Sequence, residues 1–203
     1  MELDPAKTAV LVVHMVRDIV TREGAFGQIF ADGVELHQVV PQVGRLLSTA
    51  RAGGATPVYL RVVFKPGYPD LVANCPLLGM AAQTGALEDG KPGAEIVPEL
   101  APRDGELVID HQRLTGFFGT ELDVLLRARG ITTVIACGVA TNISVEGTAR
   151  DAVNLGYRTV IASDACSTAS DQAHQATLET FQLLGEVASV EEISAALQAP
   201  LPR

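Results

Sequence analysis

The stretch that most constrains this chain runs from Val134 to Ala152: Val-Ile-Ala-Cys-Gly-Val-Ala-Thr-Asn-Ile-Ser-Val-Glu-Gly-Thr-Ala-Arg-Asp-Ala. It starts as a continuous apolar run, the pattern of a strand buried on both faces of a parallel sheet. The run breaks at Gly138 and restarts as a helix, with Val145, Ala149, Ala152 and Val153 on a 3.6-residue period. Thr141 and Asn142 are good N-cap residues at the junction. Ser144 is therefore expected in the first helical turn, just past the carboxyl end of a strand. Free N–H groups and the helix dipole favour negative charge there, so a nucleophile would find activation and an oxyanion hole together. A mere capping hydroxyl has the same spacing, and spacing alone leaves both readings open.

The rest of the chain repeats this alternation. Thr8 to Val13 reads as a first buried strand ending at His14, and Thr21 to Gly33 reads as a loop. A helical pattern from about Leu36 through Leu46, Leu47 and Ala50 is stopped by Gly53-Gly54. Pro57 to Val63 is a second strand and Glu106 to Asp110 a third, ending at His111. Between them, Phe64 to Gly105 is a long Gly- and Pro-containing segment of the kind that covers a site. Leu122, Leu125 and Leu126 mark a helix closed by Gly130, and Thr132 to Cys137 is the fourth strand. Thr159 to Ala162 is the fifth, followed by a helix around Ala173 to Leu184, a short strand near Val187 and a final helix near Glu191 to Leu197. Strands alternating with helices imply an α/β fold with a parallel sheet covered on both faces. Ligands bind such sheets beyond the carboxyl ends of the strands, where the strand order reverses. His14, His111 and Ser144 all fall at or just after such ends, and that convergence points to one site.

Composition narrows the partners. With 203 residues, 47% hydrophobic and 19% charged, the chain supports one domain (1–203) with a sizeable core. A net charge of −9 argues against nucleic acid or an anionic membrane as partner. No apolar run approaches the length of a membrane span, and the N-terminus lacks the features of a signal peptide. Cys75, Cys137 and Cys166 show neither metal-like nor disulfide-like spacing, so a cytoplasmic protein with reduced thiols is expected.

Three segments resemble the isochorismatase-like, or cysteine hydrolase, superfamily: Leu11-Val-Val-His-Met-Val-Arg-Asp18, His111-Gln-Arg-Leu-Thr-Gly-Phe-Phe-Gly-Thr-Glu-Leu122, and above all Cys137 to Ala152. The resemblance covers nearly the whole chain. It implies a three-layer α-β-α sandwich around a six-stranded, mainly parallel, Rossmann-like sheet, with a catalytic Asp, Lys and Cys. This chain has His14, His111 and Ser144 at the matching positions, so all three are substituted, while Asp18 fits the pattern. The Val139–Ala140 peptide is expected to be cis, as in relatives. In the superfamily a thiolate attacks a carbonyl or nitrile carbon. An alcohol needs a general base for that, and His14 can supply one. Ser144 is then the nucleophile, His14 the base and His111 a helper, with the backbone N–H groups of Ala140, Thr141 and Ser144 as oxyanion donors. The substrate would be a small molecule with an amide, urea, ester or similar C–N or C–O bond. Two alternatives stand beside this. One is non-nucleophilic chemistry, such as vinyl ether hydrolysis or a lyase or isomerase reaction, using His14 and His111 as acid and base. The other is a ligand-binding homologue without catalysis.

The resemblance further implies a dimer or tetramer, with the Phe64–Gly105 segment a candidate for closing a neighbour's site. Metal-binding relatives carry an Asp and two His after the second strand; the comparable Tyr59–Tyr68 region has no His, so neither a metal nor another cofactor is expected. Arg61, Tyr68 and Arg113 are candidate contacts for a substrate carboxylate or carbonyl, and Phe26 and Phe117 candidate pocket walls. His37 and His174 belong to no motif and read as surface residues. Glu146 and Arg150 are spaced for an i,i+4 pair.

Overall fold

All six residues of the first apolar run, β1 (Thr8–Val13), and all seven of β4 (Thr133–Val139) are buried in the computed structural model of the protein, which describes residues 1–199. The two strands lie side by side in parallel, with Val10 opposite Ile135 and Val13 opposite Gly138. Strands with no solvated face have no reason to alternate, and neither sequence does. β2 (Thr56–Val62) and β3 (Leu107–His111) extend the sheet on one side, β5 (Arg158–Ser167) and β6 (Glu186–Ala188) on the other. The order is β3-β2-β1-β4-β5-β6, with every pairing parallel.

Strand order therefore reverses between β1 and β4, the place where an open α/β sheet leaves a crevice. The strands meet closely there. Gly138 has φ +116°, and a Cβ on it would lie 2.1 Å from the carbonyl oxygen of Val13. Only glycine fits.

Helices cover both faces. α1 (Arg17–Val20), α2 (Gly27–Leu36) and α3 (Val39–Gly53) follow β1, and α4 (Pro76–Thr84) lies within the long segment after β2. α5 (Leu122–Ala128) precedes β4, α6 (Glu146–Asn154) follows it, and α7 (Asp171–Phe181) and α8 (Val190–Gln198) flank β6. The β1-to-β2 and β4-to-β5 crossovers run in opposite directions along the sheet, so right-handed connections put α3 and α6 on opposite faces. Among the described residues no helix is long and apolar enough to cross a membrane.

Two stretches differ from the sequence-based expectation. The Thr21–Gly33 segment is not a loop throughout, because α2 starts at Gly27. Its glycines serve close packing rather than turning: a Cβ on Gly27 would meet Thr21 O at 2.3 Å, and one on Gly33 would meet Thr168 O at 2.5 Å. The Phe64–Gly105 segment holds α4 and two short 3-10 turns, Pro92–Ala94 and Pro98–Leu100. It is tied across the end of β1 by Arg17 N–H to Glu95 O at 3.0 Å, Val97 N–H to Met15 O at 3.0 Å, and Leu87 N–H to Asp18 Oδ2 at 2.7 Å. Asp18 thus anchors the cover, and its carboxylate is occupied in doing so.

Candidate active site

β1 ends at Val13, and His14 leaves the ladder with φ +57°, a left-handed conformation uncommon for a residue with a Cβ. Its N–H still donates to Leu60 O at 2.9 Å, so the turn is paid for by no lost backbone bond. His111 closes β3, two strands away. The two rings meet edge to edge, Nε2 to Nε2 at 3.1 Å, with 27° between their planes and centroids 4.9 Å apart. Both side chains are buried.

The partners dictate where the protons are. His111 Nδ1 lies 3.1 Å from the carbonyl oxygen of Arg113, which can only accept, so Nδ1 carries the hydrogen. Burial lowers the His111 pKa to about 4, against which the Arg113 carbonyl is a smaller, opposing effect. The ring is therefore neutral at pH 7 and its Nε2 is a bare lone pair. His14 Nε2 must then donate into it, which leaves His14 Nδ1 as the unprotonated nitrogen. The pKa of His14 is itself held well below that of a free imidazole, first by burial and then by His111.

Ser144 is reached from the other half of the sheet. After β4 the Val139–Ala140 peptide is cis, and the chain enters a wide π-type turn over Thr141–Val145 before α6. Ala140 O accepts from Ile143, Ser144 and Val145 N–H at 3.1, 3.0 and 3.1 Å. Of the three oxyanion donors expected, the Ser144 N–H is thus hydrogen-bonded within the turn. The N–H groups of Ala140 and Thr141 donate to no acceptor among the described residues. Neither Thr141 nor Asn142 caps the turn with its side chain: Thr141 Oγ1 lies 2.9 Å from His174 Nδ1, and Asn142 Oδ1 accepts from Thr168 Oγ1 at 2.7 Å.

His14 and Ser144 line one cavity of about 470 Å³, its open mouth included. Among the described residues Arg113 is its only other polar or charged lining; the remaining walls are apolar, Phe26, Phe30 and Ile143 among them. Among the described residues no hydrogen bond joins the Ser144 hydroxyl to His14.

A match to the Isochorismatase domain extends over residues 8–192. The chain belongs to the isochorismatase family. The isochorismatase family protein YwoC of Bacillus subtilis is 36% identical over 193 residues, covering 95% of each chain. The ureidoacrylate amidohydrolase RutB of Methylobacterium radiotolerans is 31% identical over 214 residues, covering 98% of this chain and 82% of that protein. Among solved structures, a cysteine hydrolase from Pseudomonas syringae pv. phaseolicola superposes with a TM-score of 0.88 at 28% identity, covering 98% of this chain and 95% of that one. The protein is thus an isochorismatase-family hydrolase with the family's six-stranded parallel sheet.

Within the family fold, the structure draws together His14, His111, Ser144, Ala140, Phe26 and Arg113 and leaves three expected contacts outside. Arg61 is held bidentately by Asp110, both bonds 2.6 Å, because β2 and β3 place the two residues opposite each other. Tyr68 donates its hydroxyl to Ala86 O at 2.8 Å, and Phe117 packs against Tyr157 with centroids 6.0 Å apart. None of the three lines the cavity. Arg113 is at its wall, with its guanidinium donating to Val72 O at 3.2 Å and Asn74 Oδ1 at 2.9 Å. The i,i+4 pair forms, Arg150 Nε to Glu146 Oε1 at 2.7 Å.

One residue escaped the sequence reading. His174 is not on the surface but 4% exposed, bonded to Thr141 and stacked on His37 with centroids 5.4 Å apart. No motif surrounds either histidine, and only the fold brings them together.

Proposed function

We propose that the protein hydrolyses a small amide, urea, ester or similar substrate by acyl transfer to Ser144, with His14 Nδ1 as general base. The proton positions carry this reading. The chain Arg113 O ← His111 ← His14 leaves His14 Nδ1 as the one bare imidazole nitrogen of the pair, and His14 lines the cavity that Ser144 also lines; the mechanism assigns that nitrogen the role an Asp-backed histidine fills in serine hydrolases. His111 acts as a positioning group: its lone pair holds the His14 tautomer and takes up part of the charge when His14 is protonated.

In the first step Ser144 Oγ bonds to the acyl carbon and its proton passes to His14. The tetrahedral oxyanion is met by the free N–H groups of Ala140 and Thr141. Collapse breaks the bond to the leaving nitrogen or oxygen, which takes the proton from His14. Water then attacks the acyl-serine ester by the same route and frees the acid.

Both imidazoles are neutral near pH 7, which favours a base over the general acid that vinyl ether hydrolysis requires. The missing Ser144–His14 hydrogen bond favours a second reading, in which His14 acts directly on the substrate without an acyl-enzyme. Activity screening against amides, ureas, esters and vinyl ethers, with Ser144→Ala as control, separates the two. Loss of turnover supports the nucleophile. A Ser144→Ala protein that turns over its best substrate at the wild-type rate eliminates it.

We further propose that the protein is a dimer or tetramer, an assembly that would cover the exposed side chains of Leu36, Phe118, Val124 and Leu183. Analytical ultracentrifugation showing a monomer would remove it.

A further inference from the structure

We infer that the acyl portion of the substrate is uncharged and apolar, an inference that rests on the cavity and takes its catalytic meaning from the hydrolase reading above. Three elements build the wall. Ile19 comes from α1, Phe26 and Phe30 from the start of α2, and Leu78 and Ala81 from α4 in the long cover segment; Leu87 closes it. The sequence spends apolar residues on every element that reaches this space, and all six of these side chains are buried.

What is missing from the wall matters as much. A carboxylate in a buried apolar space loses its hydration and needs a cation or several N–H donors in return. The two histidines offer no positive charge, since both are held neutral by burial and His111 Nδ1 is committed to a carbonyl. Among the described residues Arg113 is the one cation at the wall; it keeps its charge, but two of its nitrogens are held by Val72 O and Asn74 Oδ1 in exposed hydrogen bonds, which puts that charge at the solvated rim rather than in the apolar interior. The net charge of −9 adds a field that opposes an incoming anion. An ammonium fares no better. Among the described residues no acid lines the cavity, and Asp18, on the helix that supplies Ile19, has its carboxylate engaged by the Leu87 N–H. A hydrocarbon or aromatic acyl group meets none of these costs. Placed against Phe26, Phe30 and Leu78, it would present its carbonyl carbon toward Ser144 and His14, which line the same cavity.

The test uses binding, so that it does not depend on turnover. Ser144→Ala protein is titrated calorimetrically with three amides of similar length: hexanamide, adipic acid monoamide and 6-aminohexanamide. Hexanamide is expected to bind at least about tenfold more tightly than either charged amide. Equal or tighter binding of the carboxylate, which would make Arg113 an anion receptor, overturns the inference, as does failure of hexanamide to bind. A second variant checks the location. Leu77 lines the cavity from α4 and is only half-buried, so Leu77→Lys should fold. It should shift the preference toward the monoamide by about tenfold. An unchanged preference places the acyl group elsewhere and overturns the proposal. The two readings fail separately: hexanamide binding without hydrolysis of any ester or amide by the wild type removes the hydrolase, whereas hydrolysis combined with preferred carboxylate binding removes the apolar acyl group.

Discussion

The four histidines of the chain fall into two pairs, and the pairs differ in what stands at their ends. His14 and His111 end on a backbone carbonyl on one side and on the cavity on the other. Among the described residues no carboxylate hydrogen-bonds to them, and burial outweighs the more distant Asp110 charge, so both rings are neutral and one nitrogen is bare. His37 and His174 end on a carboxylate and a hydroxyl: His37 Nε2 is 2.7 Å from Asp171 Oδ1, and His174 Nδ1 is 2.9 Å from Thr141 Oγ1. In the proposed mechanism the first pair makes a base. The second makes a clamp, holding the first residue of the turn that carries Ser144. The same side chain serves both ends because its two nitrogens take their roles from their neighbours.

The largest expected effect breaks the comparison at its base. His14→Ala should lower kcat/KM by about 10²–10⁴, the range of a lost general base, while His37→Ala should leave it nearly intact. Equal losses in steady-state assays would erase the distinction between the pairs. Next comes stability. His111 takes a proton near its ordinary value of 6.5 when unfolded and only at about 4 when folded, so unfolding takes up a proton between those values. Its contribution is fully present above pH 6.5 and is lost as pH falls toward 4, amounting to on the order of 3 kcal/mol. Urea titrations across that range should show the slope, and His111→Phe should flatten it. Activity should likewise keep its base into mildly acid solution, with the acid limb of kcat/KM below the pH of a free imidazole.

Smaller effects sharpen the second pair. His174→Ala should reduce kcat by up to about 100-fold through misplacement of the turn, with a smaller change in KM. His174→Asn, whose amide can still meet the Thr141 hydroxyl, should recover part of kcat, a rescue that a purely packing role would not produce. Asp171→Asn should be mildest. Its carboxylate is 63% exposed, so a loss of less than about 1 kcal/mol in thermal or urea unfolding is expected.

Much of this arrangement is legible in sequence because it is local. β1 and β4 announce themselves as unbroken apolar runs, and His14, His111 and Ser144 stand at strand ends that the runs define. What escaped depends on distant neighbours. His37 and His174 are 137 positions apart and meet only through the packing of α2, α3 and α7 around the turn. Arg61 reads as a free cation until the β2–β3 register puts Asp110 opposite it. Gly27 and Gly33 look like loop residues until the carbonyls that crowd them are in place. The Ser144 N–H is another such case: nothing in the composition of the turn says that three N–H groups will converge on Ala140 O.

The reversal of strand order between β1 and β4 divides the molecule at a seam. The imidazole pair belongs wholly to the β3-β2-β1 side, and the serine to the β4-β5-β6 side. In the proposed mechanism the base and the nucleophile therefore come from opposite sides of the seam, and neither side alone holds both. On that mechanism activity would report assembly: fragments severed in the turn between α5 and β4 are expected to be silent alone, and turnover on mixing would count the pairs that had rejoined.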